Sequence, residues 1–442
     1  MEGRMHRLMA FARGASKQWD VPFTVDLSPW HEGSVVTSGP TRFDANKHNT
    51  WVGVGAGKSA SFLFRAALYA WFSGAAQIHF QGSLMYAFTF QAQPLAPWPC
   101  ATTVTQQDDI GLEAPDFMRL SSTTRCGATP TTPPMADIQL TQPHGENIAR
   151  AKALFRAHDR GVPYTTTAVV LDTRAGYNGS PCGGPNRTVW GALEQTEEDR
   201  EIGYLLEKQL VPGGAAYGDQ PDAERNIPIE VYEQHQLRPT PFGEFIDVLQ
   251  SDVDTAVLST YAAVVLAGEI NVTAQLVAAL ESAASAVRTR GSGVKLLLFM
   301  RGHHEASFNA IDPGAIARLN QSADLAVTTT GDHAVPNSSL TMLARELLPV
   351  HVEVLQGQPG VQWSVNKQRD ARGHWLVHVA NNFGVTKPLN QSETLHEEAA
   401  QTVTIYATAF NFTSAIEWVG NTTLRGDSSD CHCVRFALGP GA

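Results

Sequence analysis

Residues 59–83, SASFLFRAALYAWFSGAAQIHFQGS, decide how the chain is read. Apolar residues at Phe62, Leu63, Ala66, Ala67, Ala70 and Trp71 are spaced for the buried face of a helix, and Gly74 supplies a residue at which such a helix stops. Ala76–Phe80, a short apolar run bounded by Gly74 and Gly82, reads as a buried strand. Helix, glycine and strand together make half of a β/α repeat. Upstream, Met5–Lys17 has the pattern of an amphipathic helix and Val21–Leu27 that of a strand. The strand ends in a carboxylate, Asp26, and opens into an aromatic and acidic loop, PWHEGSVVTSGP, as strands do at the mouth of a β/α barrel.

Downstream, Thr89–Pro143 is long and rich in Pro, Thr and Gln, and reads as a loop insertion; Gly145–His158 reads as a helix that closes the first unit. From 162 the pattern alternates strands (Thr166–Leu171, Phe245–Leu249, Ala262–Leu266, Val294–Met300, Leu325–Thr329) with helices (Glu197–Leu210, Thr273–Arg288). Continuous apolar strands between helices specify a parallel, doubly wound sheet. After Leu347 the period becomes two, in HVEVLQ, VQWSVNK, HWLVHVANN, TVTIYATAF, AIEWVG and CVRFAL, which predicts a small antiparallel β-sandwich. The expected units are 1–161, carrying the insertion at 89–143, then 162–335 and 340–438.

With 442 residues, 43% of them hydrophobic and 17% charged, the chain is long and apolar enough to fill two or three cores. The net charge of -11, without runs of either sign, argues against nucleic acid or an anionic membrane as partner, and no run of apolar residues is long enough to span a bilayer. Eight of the sixteen asparagines (178, 186, 271, 320, 337, 390, 411 and 421) open N-x-[ST] triplets, a density that suits a glycosylated protein of the secretory pathway. MEGRMHRLMAFARG lacks the apolar core of an export signal, so a secreted product would have its true N-terminus upstream. The five cysteines are too few for a disulfide scaffold; Cys100 and Cys126 are spaced for one loop staple.

Three motifs fail on spacing. Gly53-x-Gly55-x-Gly57-Lys58-Ser59 has Val52 where a phosphate loop needs its first glycine; Gly302-His303-His304-Glu305 does not place two histidines on one helical face; and Cys431-His432-Cys433 has no second ligand pair nearby. No cofactor and no metal is therefore expected. A nucleotide at the switch point of the middle sheet would need a glycine-rich fingerprint after Leu171, and there is none.

The order of parts is similar to that of the multidomain β-galactosidases that carry a trimerisation domain. VPFTVDLSPW resembles their seventh barrel strand, RAALYAWFSGAAQIHFQG their last helix and eighth strand, and HDRGVPYTTTAVVLD the hinge that follows. QLRPTPFGEFIDVL and YAAVVLAGEI resemble strands of the flavodoxin- or amidotransferase-like trimerisation domain, and GVQWSVNK with HWLVHVANNFGV its β-domain. The resemblance implies an α/β protein comprising the C-terminal part of a (β/α)8 barrel, a doubly wound domain lacking the amidotransferase cysteine, and a β-sandwich. It also implies acid/base hydrolysis of a galactoside-like bond, with Asp26 as nucleophile and Glu32 as reserve. Trp30 and Trp51 are candidates to stack on a sugar ring, and His79 and Gln81 to bond its hydroxyls, one of the two looking into the barrel. The family's proton donor comes from the fourth barrel strand, which this chain begins too late to contain, so a fragment or degenerate member, inactive alone, is expected. The alternative is a non-catalytic carbohydrate-binding or assembly protein. Carbohydrate is the expected partner, with self-association through the middle domain.

Overall fold

The computed structural model describes residues 5–30, 33–37, 40–45, 50–81, 88–90, 138–140, 143–174, 188–189, 193–194, 202–203, 205–206, 210, 233, 237, 243–289, 296–321, 325–330, 347–354, 361–369, 374–407, 414–419, 422–425 and 433–442. Within them the chain is mixed α/β, with seven helices and several sheets and no closed barrel.

The first unit is built around a helix buried on every side. Helix α1 spans Met5–Trp19 and α2 spans Ala60–Phe72, and each of the thirteen residues of α2 is buried. Ser59 caps α2, its Oγ accepting from the Phe62 amide at 3.1 Å, and Gly74 ends the segment at φ 102°, where a side chain would be strained. Strands β1 (Thr24–Leu27), β2 (Ser34–Val36), β3 (Arg42–Asp44) and β4 (Thr50–Gly53) precede it and β5 (Gln77–Phe80) follows, with β1 and β5 lying against it. β1 and β5 pair in parallel, with Val25 and Leu27 packed into one cluster with Phe62, Leu63, Ala66 and Ala70 of α2. Their other side is open. The strand expected to be buried therefore alternates instead, with Gln77 and His79 exposed and Ile78 and Phe80 half-buried, because a two-stranded sheet has a helix on one face only.

A second departure follows β1. The stretch read as a mouth loop contains β2, which joins β4 in parallel while β3 joins β4 antiparallel, forming a small three-stranded sheet. The long insertion is closed at its ends: β6 (Phe88–Phe90) pairs antiparallel with β7 (Ile138–Leu140), and helix α3 (His144–Ala157) then packs on α2.

β8 (Val162–Pro163) leads into β9 (Thr167–Leu171), the first strand of the middle sheet, and the small antiparallel pair of β10 (Thr188–Val189) and β11 (Leu193–Glu194) comes after it. β9, β12 (Ile246–Gln250), β13 (Ala263–Leu266), β14 (Leu296–Arg301) and β15 (Leu325–Thr330) form a parallel sheet in the order β12-β9-β13-β14-β15. By position within the sheet this is 2-1-3-4-5, an order of open α/β sheets whose winding reverses beside the first strand. One face, with Ala168, Val170, Val264 and Leu298, is covered by α5 (Ala274–Thr289), α6 (Gly302–Ile311) and α7 (Ala315–Gln321), which follow the one-turn α4 (Thr255–Leu258). Buried Ile202, Leu205, Leu206 and Leu210, from the segment predicted as a helix at 197–210, lie on the other face; most of that segment is outside the described residues.

The period-two segments form two three-stranded antiparallel sheets. β16 (Val350–Val354) pairs with β21 (Gln401–Ala407) and β21 with β24 (Cys433–Leu438); β17 (Val361–Lys367) pairs with β18 (Trp375–Asn381) and, on its other edge, with β8 of the hinge. Two small pairs complete the region, β19 (Val385–Thr386) with β20 (Thr394–Leu395) and β22 (Ser414–Glu417) with β23 (Thr422–Arg425). Val350, Trp363, Val365 and Val403 share one cluster with Val169, Val248 and Val265 of the parallel sheet. The antiparallel sheets therefore cover the face of the middle sheet that α5–α7 leave open.

Candidate functional site

Asp26 of β1 and His79 of β5 are register partners, and both point away from α2. His79 Nδ1 donates to Asp26 Oδ1 at 3.0 Å, and the side chains are 63% and 56% exposed. Thr24 and Gln77 share their side of the sheet. The result is a polar, open platform on which a carboxylate is held by one imidazole and keeps accepting capacity for an incoming hydroxyl. Among the described residues His79 is the side chain hydrogen-bonded to Asp26.

The other sequence-predicted residues are dispersed. Gln81 lies just past β5, half-buried, its amide donating to Leu27 O at 3.0 Å. Trp30 packs against the α2 cluster with its indole nitrogen buried and unpartnered, so most of its ring serves the core. Trp51 stands on β4, in the neighbouring small sheet, edge-on to exposed Phe43 at 5.2 Å. Glu32 is outside the described residues. Of the candidates among the described residues, only Asp26 and His79 are brought together.

Sequence reasoning missed a larger constellation. α1 lies along the edge strand β12, so close that a Cβ on Gly14 would sit 1.8 Å from Val248 O. From that helix Arg13 Nε donates to Asp247 Oδ1 at 2.9 Å and its Nη2 to Glu244 Oε2 at 3.0 Å, while Lys17 Nζ reaches Asp247 Oδ2 at 2.6 Å. Thr165 and Tyr261 hydroxyls also donate to Asp247 Oδ2, at 2.6 and 2.9 Å, and His6 Nδ1 contacts Glu244 Oε1. Burial pushes both carboxyls up, but the Lys17 and Arg13 charges outweigh it at Asp247 and the His6 and Arg13 charges at Glu244, so both are held below the usual carboxylate range. Beside this network His378 is buried with both ring nitrogens unpartnered, stacked on Phe72 at 5.0 Å, and burial lowers its pKa to about 4. The crevice there, lined by Arg13, Ser73, Thr165, Glu244, Ser364 and Asn366, is too narrow for water. Ion pairs this satisfied and enclosed hold elements together and do not meet a substrate. Paired basic residues on α1 were the available signal, but their partners lie more than 200 residues away.

Among the described residues no group of three or more His, Cys, Asp or Glu is arranged to hold a metal ion. His303 and His304 both turn to Gly268 O, at 3.4 and 2.6 Å. Cys433 is disulfide-bonded, while Cys100, Cys126, Cys182 and Cys431 are outside the described residues. Compared with known proteins, the chain matches no family model and no curated sequence.

Proposed function

We propose that the chain is a portion or degenerate member of a β-galactosidase-type glycoside hydrolase, in which Asp26 faces the sugar and His79 positions it. The observation that carries this reading is the β1–β5 pair: two parallel strands joined through α2, whose helix-side residues are apolar and whose opposite side presents Asp26 and His79. In a β/α barrel that opposite side is the interior, and strand ends there carry the catalytic groups. The parts that follow, a parallel sheet in 2-1-3-4-5 order and then antiparallel sheets, keep the order of an amidotransferase-like trimerisation domain and a β-domain.

In the proposed reaction the Asp26 carboxylate attacks the anomeric carbon and forms a glycosyl ester, while a second carboxyl protonates the departing oxygen; water then releases the sugar. Retaining enzymes set these two groups about 5 Å apart. Among the described residues the hydrogen bond to Asp26 comes from His79 and not from a second carboxyl, and turnover by this chain alone is proposed to be slow or absent. That same observation favours the second reading, a non-catalytic carbohydrate-binding or assembly protein. A secretory location is proposed from the Cys433 disulfide and from Asn271 and Thr273, two ends of an acceptor triplet that are both exposed. No described helix is long and apolar enough to cross a membrane.

The test is hydrolysis of an aryl galactoside by the expressed chain and by Asp26→Asn. Turnover above background that falls at least about a hundredfold in the variant supports the hydrolase. Absence of both turnover and galactoside binding removes it; binding without turnover moves the chain to the second reading.

A further inference from the structure

Strands β17 and β18 carry a polar row on the face turned away from the parallel sheet. Val361, Trp363 and Val365 of β17 enter the core shared with that sheet, and Val377 and Val379 of β18 pack against it. By the period of two, Gln362, Ser364, Asn366 and His378 stand on the opposite face, with Ser364 and His378 as register partners. That face meets α2: Asn366 Nδ2 donates to Phe72 O at 2.9 Å, and His378 stacks on the Phe72 ring. None of the four polar residues is more than 5% exposed. Yet both polar atoms of the Gln362 amide, the Ser364 hydroxyl, Asn366 Oδ1 and both His378 nitrogens are without a hydrogen-bond partner.

Nor does an apolar cluster close this contact. Among the described residues, the cluster that takes in Phe62, Leu63 and Tyr69 of α2 includes nothing from β17 or β18, and the cluster that takes in Trp363 and Val365 includes nothing from α2. The crevice beside Ser364 and Asn366 is too narrow to let water in to the row. A polar atom that leaves water and gains no partner costs stability, and an amide bare at both ends costs more than a single hydroxyl. Asn366 offsets part of this through its bonds to Phe72 O and, at 3.0 Å, to Arg160 O. Closed, the contact leaves the other groups bare; opened, it returns them to water.

We propose that this contact is a seam that opens within the native ensemble: α2 and the elements packed on it lift off β17 and β18 as one body, water reaches Gln362, Ser364 and His378, and the core on the other face of β17 stays shut. The body holds together because β1, β5 and α3 pack on α2. Two ties limit its movement. Arg13 and Lys17 keep α1 on Asp247 of the edge strand β12, and β8 stays paired with Asn366 and Lys367 of β17. Opening costs the Asn366 bond to Phe72 and the His378 stack, and hydrates every bare atom in the row. It leaves the parallel sheet and its core intact, so it needs far less free energy than global unfolding. The body that moves carries the Asp26 platform, yet nothing in the seam depends on the glycosidase reading, and the seam survives if that reading fails.

The experiment compares neighbouring positions on opposite faces of β17. Ser364→Cys and Val365→Cys are made in the full chain and alkylated with iodoacetamide under native conditions, with the products read peptide by peptide and each rate set against that variant's own global unfolding in urea. The thiol at position 364 is expected to react at least about a hundredfold faster than the thiol at position 365, which waits for global unfolding. Adding Gln362→Met to Ser364→Cys takes a bare amide out of the closed state and is expected to slow the reaction about tenfold; an unslowed reaction overturns the role given to the polar row. Equal rates at the two positions overturn the seam, and are the result if a fixed internal water satisfies the row without any opening. Should the variants not fold, modification of wild-type His378 by diethyl pyrocarbonate decides. Reaction while the far-ultraviolet circular dichroism is unchanged supports the seam, and reaction only in step with unfolding overturns it.

Discussion

Arg13 is the residue on which the most buried charge depends. It bonds Asp247, Glu244 and the Ile246 carbonyl at once, so Arg13→Met leaves two enclosed carboxylates short of a partner. The expected loss is about 3–5 kcal/mol in urea unfolding at neutral pH, far above the cost of an exposed charge change. Acid acts on the same place. Asp247 and Glu244 are held low, so their contribution is present above the ordinary carboxylate range and disappears as pH falls through their folded values. His378, held neutral, adds a contribution present above 6.5 and lost as pH falls towards 4. Replacing it by phenylalanine keeps the Phe72 stack and removes two unpartnered nitrogens; acid unfolding followed by circular dichroism is expected to move to lower pH, and an unmoved midpoint refutes this account of His378. At this scale the sequence shows Asp26 and His79, because each ends or lines a strand of recognisable pattern. It hides Arg13, Glu244 and Asp247, which look like solvated charges until the helix and strand that carry them are placed side by side.

Among the elements, α1 and its glycine are the most exacting. A helix-interior Gly→Ala change ordinarily gains about 1 kcal/mol from propensity. At Gly14 the added carbon meets the Val248 carbonyl, and Gly14→Ala is expected to destabilise by about 1–3 kcal/mol despite that gain, whereas exposed Leu8→Ala on the same helix stays within about 0.5 of its propensity cost. Thermal melts of the two variants check this, and a stabilised Gly14→Ala refutes the close docking. The parallel strands and period-two strands are legible to within a few residues because their apolar runs are bounded by turn residues. β2–β4 and β8 were not, since strands of two to four residues with mixed polarity carry no period, and β8 exists only through its pairing with β17.

Among the described residues, the face of the parallel sheet opposite α5–α7 is closed by the antiparallel sheets together with Ile202, Leu205, Leu206 and Leu210, in one continuous apolar cluster. Middle and C-terminal parts are thus expected to unfold together: fluorescence and far-ultraviolet circular dichroism give coincident transitions, and two separated transitions contradict the shared core. Element order alone named these parts but not their common core, which arises from packing between strands far apart in the sequence. The first unit remains the functional question, because its parallel pair presents a polar side that sheets of this kind ordinarily cover. A galactose titration read at the His79 imidazole by nuclear magnetic resonance, with Asp26→Asn as control, addresses it directly. The account expects a saturable shift at His79 whose midpoint weakens at least about tenfold in the variant; a His79 signal that saturating sugar leaves unmoved contradicts it.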